Sequence, residues 1–188
     1  NTSKITVQSD TPDGDFNSLK IDLEKQVKGD VNLRIQSTHA VLELALDQVY
    51  SACLALEDLR PNLRIMSIGE SLEIYKEVGL PKNVAERFEV KKMSGSHGIG
   101  HTRMATESAV TTMGAHPFNT GSDQCLVHNG SLSNHNSLRR KLRRDGVHIR
   151  TENDTEVGAA YLTWKMQNGS SLDEALESSL KDLDGVFT

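Results

Sequence analysis

The sequence predicts an α+β fold. Three observations carry the prediction. Short apolar segments alternate in the manner of strands, longer segments repeat apolar residues every three or four positions, and no regular strand–helix–strand spacing is visible. The chain has 188 residues, a length that fits one domain or at most two. Hydrophobic residues make up 36% and charged residues 25%, the balance of a folded chain rather than a disordered tail. No apolar run approaches the ~18 residues of a transmembrane helix. The first ten residues carry neither a basic region nor an apolar one, so no secretory signal is read there. The net charge of −5 argues against general nucleic-acid binding. With aromatics at 4%, the core must rest on Leu, Val, Ile, Ala and Met.

The elements are read in chain order. Residues 1–38 read as short extended pieces and turns: ITVQ at 5–8 alternates, DTPDGD at 10–15 is a turn cluster, and residues 31–36 alternate again. The acids of that turn lack the Glu that closes a calcium loop at its twelfth position, Glu24 lying too far along. Residues 39–59 read as one helix, with Val41, Leu42, Ala45, Leu46, Val49, Ala52, Cys53 and Leu56 on a wide apolar face. Thr38 is its expected cap, and Pro61 bars its continuation. Residues 63–69 suit a buried strand. Residues 70–77 suit a short helix ending at Gly79, and Pro81 opens a further turn or helix.

Beyond Met93 the texture changes to Gly, Ser and His. CLVHN at 125–129 reads as a strand entering a polar loop. Helices are expected at 134–144, 156–166 and 172–183, the last with Leu172, Ala175, Leu176, Leu180 and Leu183 on one face. Residues 185–188 read as the opening of a strand that the chain end interrupts, so a piece of a longer chain is expected. Cys53 falls in a helical run and Cys125 in an extended one. A disulfide between them is not expected, and neither has a second Cys at metal-ligand spacing.

Four clusters carry the candidate chemistry: GIGHTRMATES (98–108), AHPF (115–118), LVHNGSLSN (126–134) and ENDTEV (152–157). Asn129 and Gly130 set a side-chain amide beside a backbone N–H, the parts of an oxyanion hole. Arg103 offers a planar fork for a carboxylate, and Asp154 a charge for an ammonium. Such a pair across a pocket selects a free α-amino acid by its two ends. Each cluster also has an ordinary reading. Asn-Gly is a common tight turn, a lone Arg is usually a surface charge, and Asn153 or Asp154 followed by Glu156 suits a helix cap with a box-like arrangement.

The order GHTRxAT, AHPF, HNGxxxN, NDTE resembles the class-II glutamine amidotransferases, the N-terminal-nucleophile domains of glutamate synthase, amidophosphoribosyltransferase, glucosamine-6-phosphate synthase and asparagine synthetase. The resemblance covers residues 63–188, leaving 1–62 as an insertion or family-specific segment of one amidotransferase domain. MATESAVTTMGAHPF and LVHNGSLSNHNSLRRKLRR look closest to glutamate-synthase-like subunits, including the N-methylglutamate synthase type.

The resemblance implies an αββα sandwich of helices outside two antiparallel sheets, of which this chain holds part. It implies that Arg103 binds the glutamine α-carboxylate, Asp154 its α-amino group, and Asn129 and Gly130 the oxyanion. Thr106 would line the pocket and His116 would be structural. Met104 stands where some members carry a bulky aromatic, and Glu107 where a His often follows the Thr. The family nucleophile, an N-terminal cysteine, is absent from this chain, which begins with Asn1. Either it lies upstream or the protein is an inactive pseudo-amidotransferase that binds or regulates a partner. An active protein would hydrolyse glutamine and deliver ammonia to a glutamate-synthase-like partner, as a cytoplasmic hetero-oligomer. No cofactor is expected in this chain; FMN and iron–sulfur centres would belong to the partner.

Three rival readings are weaker. The histidines at 97, 101, 116, 128, 135 and 148 form no HExxH. SGSHGIG lacks the lysine ending of a phosphate loop. RRKLRR at 139–144 reads as a solvated helix face anchored by Leu138 and Leu142, with neither a nucleic-acid nor a membrane partner expected.

Overall fold

The computed structural model describes residues 1–102 and 110–187. It is a mixture of helices and antiparallel strands, as an α+β chain should be. It divides into two compact units, Asn1–Tyr75 with Gly79–Ser96, and Lys76–Val78 with His97–Thr188.

The first unit runs β1 (Thr2–Gln8), α1 (Pro12–Asp15), α2 (Leu19–Val27), β2 (Asn32–Gln36), β3 (His39–Ala45), α3 (Val49–Leu59), β4 (Arg64–Gly69) and α4 (Pro81–Arg87). Its four strands lie in the order β2-β3-β1-β4, all antiparallel. From β1 to β4 this is the βαββαβ connectivity of a ferredoxin-like sheet. Ile5 and Val7 on β1 and Ala40, Leu42 and Leu44 on β3 alternate toward α2 and α3. They bury against Leu19, Leu23, Val27, Ala52 and Leu56.

Several expectations for this unit are overturned. Residues 39–45 are a strand, and the helix begins only at Val49 after a 3₁₀ turn. β3 is a central strand covered on both faces, so its apolar residues run nearly unbroken and mimic helical spacing. Thr38 precedes a strand and so is not a helix cap; it sits in the hairpin turn beside Ser37, whose φ is +58°. Residues 1–38 hold helix α2, signalled only by Leu19, Leu23 and Val27 at four-residue spacing, and DTPDGD contains the helical turn α1.

Residues 70–77 form no helix. Tertiary anchors hold the segment instead, and an isolated eight-residue helix has too little local stability to resist them. Glu73 accepts from Lys4 Nζ (2.8 Å), Arg34 Nη2 (2.6 Å) and Tyr75 Oη (2.7 Å). Tyr75 and Phe88 pack with His39, their ring centroids 4.9–5.6 Å apart.

The Glu73 cluster gives a pH dependence. Burial pushes the Glu73 carboxyl up, but its three donors outweigh this and hold it at about 2, against an ordinary 4.5. A depressed carboxylate stabilises the fold above its unfolded pKa and stops doing so as pH falls through its folded value. Acid titration followed by circular dichroism is therefore expected to show this unit losing stability between pH 4.5 and about 2. Glu73→Gln should flatten that slope; a slope unchanged in the variant would assign it to other carboxylates.

In the second unit, β5 (Phe118–Gly121) pairs with β6 (Gln124–Leu126), and β7 (Gly130–Leu132) with β8 (Gly185–Phe187). Helices α5 (His135–Arg144), α6 (Asp154–Gln167) and α7 (Leu172–Asp182) occupy the expected regions. Leu138, Leu142, Ile149, Val157, Ala160 and Tyr161 form the core. Helix α6 is buried from Thr155 through Tyr161, which erases the one-sided pattern of a surface helix. At Gly158 an added Cβ would lie 3.3 Å from Leu132 and 3.4 Å from Leu126, so a small residue lets α6 approach both strands. Ser171 and Glu174 close a capping box on α7. The basic helix α5 is solvated at Arg140, Lys141, Arg143 and Arg144. Arg139 departs from that expectation: it is buried and paired with Glu152 at 2.8 Å. Among the described residues no helix is long and apolar enough to cross a membrane.

Candidate functional site

The site is built where β7 meets the start of α6. Gly130 opens β7 with φ +150°, a conformation that side chains disfavour, and Asn129 precedes it. Both are exposed. Their strand is set by β8, in register Gly130↔Phe187, Ser131↔Val186 and Leu132↔Gly185. Gly185 has φ +144°, and a Cβ there would fall 2.1 Å from the Ser131 carbonyl oxygen. The pairing thus depends on glycine at both ends.

Asp154 ties this strand to the helix. Its Oδ2 accepts from the Leu132 N–H at 2.9 Å, and its Oδ1 from the Thr155 N–H at 2.9 Å. Each oxygen retains acceptor capacity, and the side chain is 23% exposed. A carboxylate at a helix N-terminus is further favoured by the helix dipole. Asn153 is the cap, accepting from the Thr155 N–H. Glu156 does not form the expected box. It turns back to accept from the N–H groups of Arg150 (2.8 Å) and Thr151 (2.6 Å) and from Thr151 Oγ1 (2.6 Å). The loop before the helix binds its carboxylate more completely than the cap would.

His128 stands immediately before Asn129. Its Nδ1 lies 3.1 Å from Thr155 Oγ1 and 3.9 Å from Asp154 Oδ2. Burial holds its pKa below the ordinary histidine value; Asp154 pushes back, and His101 lowers it further. A neutral ring therefore braces the Asn129 loop against α6. His116 packs between His101 and Phe118, with centroids 4.3 and 5.4 Å away. Its position among these rings fits a structural role.

Of the sequence-predicted site residues, the structure brings Asn129, Gly130 and Asp154 to one strand–helix junction. Arg103 and Thr106, with Met104 and Glu107, lie outside the described residues. Reading the sequence alone misses His128 and the turn-holding role of Glu156, although both sit inside the quoted motifs. Among the described residues no group of three or more His, Cys, Asp or Glu could hold a metal ion. Cys53 packs against the first unit's core, and Cys125 is half-buried on β6, where burial pushes its thiol up. Neither is placed as an activated nucleophile.

Chemically, the junction offers an amide and a glycine N–H at a solvent-facing loop, with a carboxylate fixed nearby. Donors for a developing oxyanion and an acceptor for an ammonium are thus supplied by adjoining elements.

Residues 89–186 match the family model described as a glutamine amidotransferase domain. The chain is 58% identical over 186 residues to the glutamine amidotransferase-like protein GlxB of Rhizobium meliloti, covering 99% of this chain and 62% of that protein. It is 33% identical over 123 residues to the glutamine–fructose-6-phosphate aminotransferase of Vibrio cholerae, covering 65% of this chain and 20% of that one. Against the same enzyme of Aliivibrio fischeri it is 37% identical over 112 residues, 60% of this chain and 18% of the relative. The chain therefore spans part of each relative's length. The matched region contains every motif cluster and the whole strand–helix junction, and the chain belongs to the class-II glutamine amidotransferase domain family.

Proposed function

We propose that the intact protein hydrolyses glutamine to glutamate at this junction and passes the ammonia to a glutamate-synthase-like partner. The observation that carries the reading is the Asp154 carboxylate, hydrogen-bonded to Leu132 two residues beyond Gly130. It fixes an ammonium acceptor beside the Asn129–Gly130 donors. In this reading Asp154 receives the α-amino group of glutamine, Arg103 its α-carboxylate, and Thr106 lines the pocket.

The nucleophile is the thiol of an N-terminal cysteine outside this chain, with its own α-amino group, of pKa about 8, as base. The sulfur attacks the side-chain carbonyl carbon, and Asn129 and Gly130 hold the resulting oxyanion. The carbon–nitrogen bond breaks and ammonia leaves with the transferred proton. Water then hydrolyses the thioester to glutamate. The whole domain is an N-terminal-nucleophile αββα sandwich, with residues 1–62 as an insertion or family-specific segment. The protein is cytoplasmic and hetero-oligomeric, and FMN and iron–sulfur chemistry reside in the partner.

The test is N-terminal sequencing and intact mass of the natural protein, then ammonia release from glutamine and labelling by a glutamine-analogue alkylator. A processed, labelled N-terminal cysteine with ammonia release is the expected result. No ammonia and no label would overturn it in favour of a binding or regulatory subunit.

A further inference from the structure

The Asn129–Gly130 donors lie between two ties to the start of one helix. Beyond them, the Leu132 N–H donates to Asp154 Oδ2 at 2.9 Å. Before them, His128 Nδ1 lies 3.1 Å from Thr155 Oγ1. Residues 128 and 132 are thus held by consecutive residues of α6, 155 and 154. The two ties differ in kind. The later one joins a backbone donor to a carboxylate. The earlier one joins two buried side chains, His128 at 8% and Thr155 at 0% exposure. An apolar pair could fill the same space, but it would let the ring turn and slide. A buried hydrogen bond fixes the ring, because either partner left alone there carries its desolvation cost. Asp154 Oδ2 stands 3.9 Å from the same Nδ1, too far for a hydrogen bond. Burial holds the His128 pKa below its ordinary value, so near neutral pH the ring is uncharged and leaves that carboxylate to an ammonium.

We propose that His128 and Thr155 are positioning residues of the oxyanion hole: their hydrogen bond holds the loop entering Gly130 against α6 and so sets the direction of the Asn129 amide and the Gly130 N–H. The assignment rests on the glutaminase reading above. Both residues act through those donors. Their effect falls on the chemical step, because such donors stabilise charge that develops during the reaction, and a displacement of about 1 Å can cost about 10²-fold. Substrate binding is left in place. Asp154 is held by the N–H groups of Leu132 and Thr155, which a change of side chain at 155 retains.

The experiment is steady-state glutamine hydrolysis by the intact protein carrying Thr155→Val, Thr155→Ser or His128→Leu, with turnover expressed per site labelled by the glutamine-analogue alkylator. Thr155→Val keeps the shape and removes the hydroxyl. It should lower kcat about tenfold with KM for glutamine within about twofold, the signature of an interaction felt only in the transition state. Thr155→Ser returns the hydroxyl and should recover most of the loss. The pairing with Asn129→Ala separates positioning from mere stability. In that background Thr155→Val should cost less than about threefold, since the amide it orients is gone. A merely structural role would lower the labelled fraction and leave turnover per labelled site unchanged. A folded Thr155→Val with the natural kcat would overturn the proposal while the glutaminase reading stands. So would a full tenfold loss that persists without the Asn129 amide. Should Thr155→Val fail to fold, His128→Leu is judged by the same two outcomes. If the natural protein neither releases ammonia from glutamine nor takes the label, both readings fall together.

Discussion

Asn129→Ala in the intact protein is expected to lower kcat for glutamine hydrolysis about 10²–10³-fold, with KM within about twofold. In the proposed mechanism the amide of Asn129 acts on charge that appears only in the tetrahedral intermediate, so its removal is expected to fall on the chemical step. The side chain is exposed and the strand that follows is held by the β7–β8 ladder and by Asp154, so the variant should fold normally. Its unfolding temperature is expected to match the natural protein's. Ammonia release under single-turnover conditions measures the loss directly. A rate within tenfold of the natural protein would remove Asn129 from the oxyanion hole, leaving the Gly130 N–H to be supported by another donor.

The site was legible where its chemistry is local in sequence. Asn129-Gly130 and the NDTE cap are contiguous, and contiguous residues keep their relation whatever the rest of the chain does. The fold was legible where one face of a segment is buried and the other wet, as in α3 after Val49, α5 and α7. It was misread where tertiary contacts decide. Residues 39–45 are mostly apolar because successive residues of β3 are buried on both faces of the sheet, and no local pattern distinguishes such a strand from a buried helix. Residues 70–77 have modest helix preference, which the anchoring of Glu73 and Tyr75 overrides. Helix α2 buries only three apolar residues, Leu19, Leu23 and Val27, in a stretch whose fourth, Ile21, is exposed.

Glu156→Gln should produce the largest stability loss among the site-region variants. The carboxylate is 5% exposed and accepts three hydrogen bonds, two from backbone N–H groups and one from the Thr151 hydroxyl. A glutamine there can offer one oxygen, and its NH₂ group turns donors toward donors. Charge-assisted bonds are worth more than neutral ones, and a stranded buried N–H carries its full desolvation cost, so the expected loss is about 3 kcal/mol. At ~2–4 °C per kcal/mol for a chain of this size, the unfolding temperature should fall by about 6–12 °C. Thr151→Val, which removes one of the three donors, should cost about 1 kcal/mol. Differential scanning calorimetry on the intact protein resolves the two. The ranking of Glu156→Gln above Thr151→Val is the informative part: a carboxylate that organises the turn must cost more to neutralise than one of its donors costs to delete. Equal or reversed effects would mean that the turn at 150–153 is held by the Arg139–Glu152 pair and the Asn153 cap instead. Asp154 would then owe its orientation to its bonds with the Leu132 and Thr155 N–H groups.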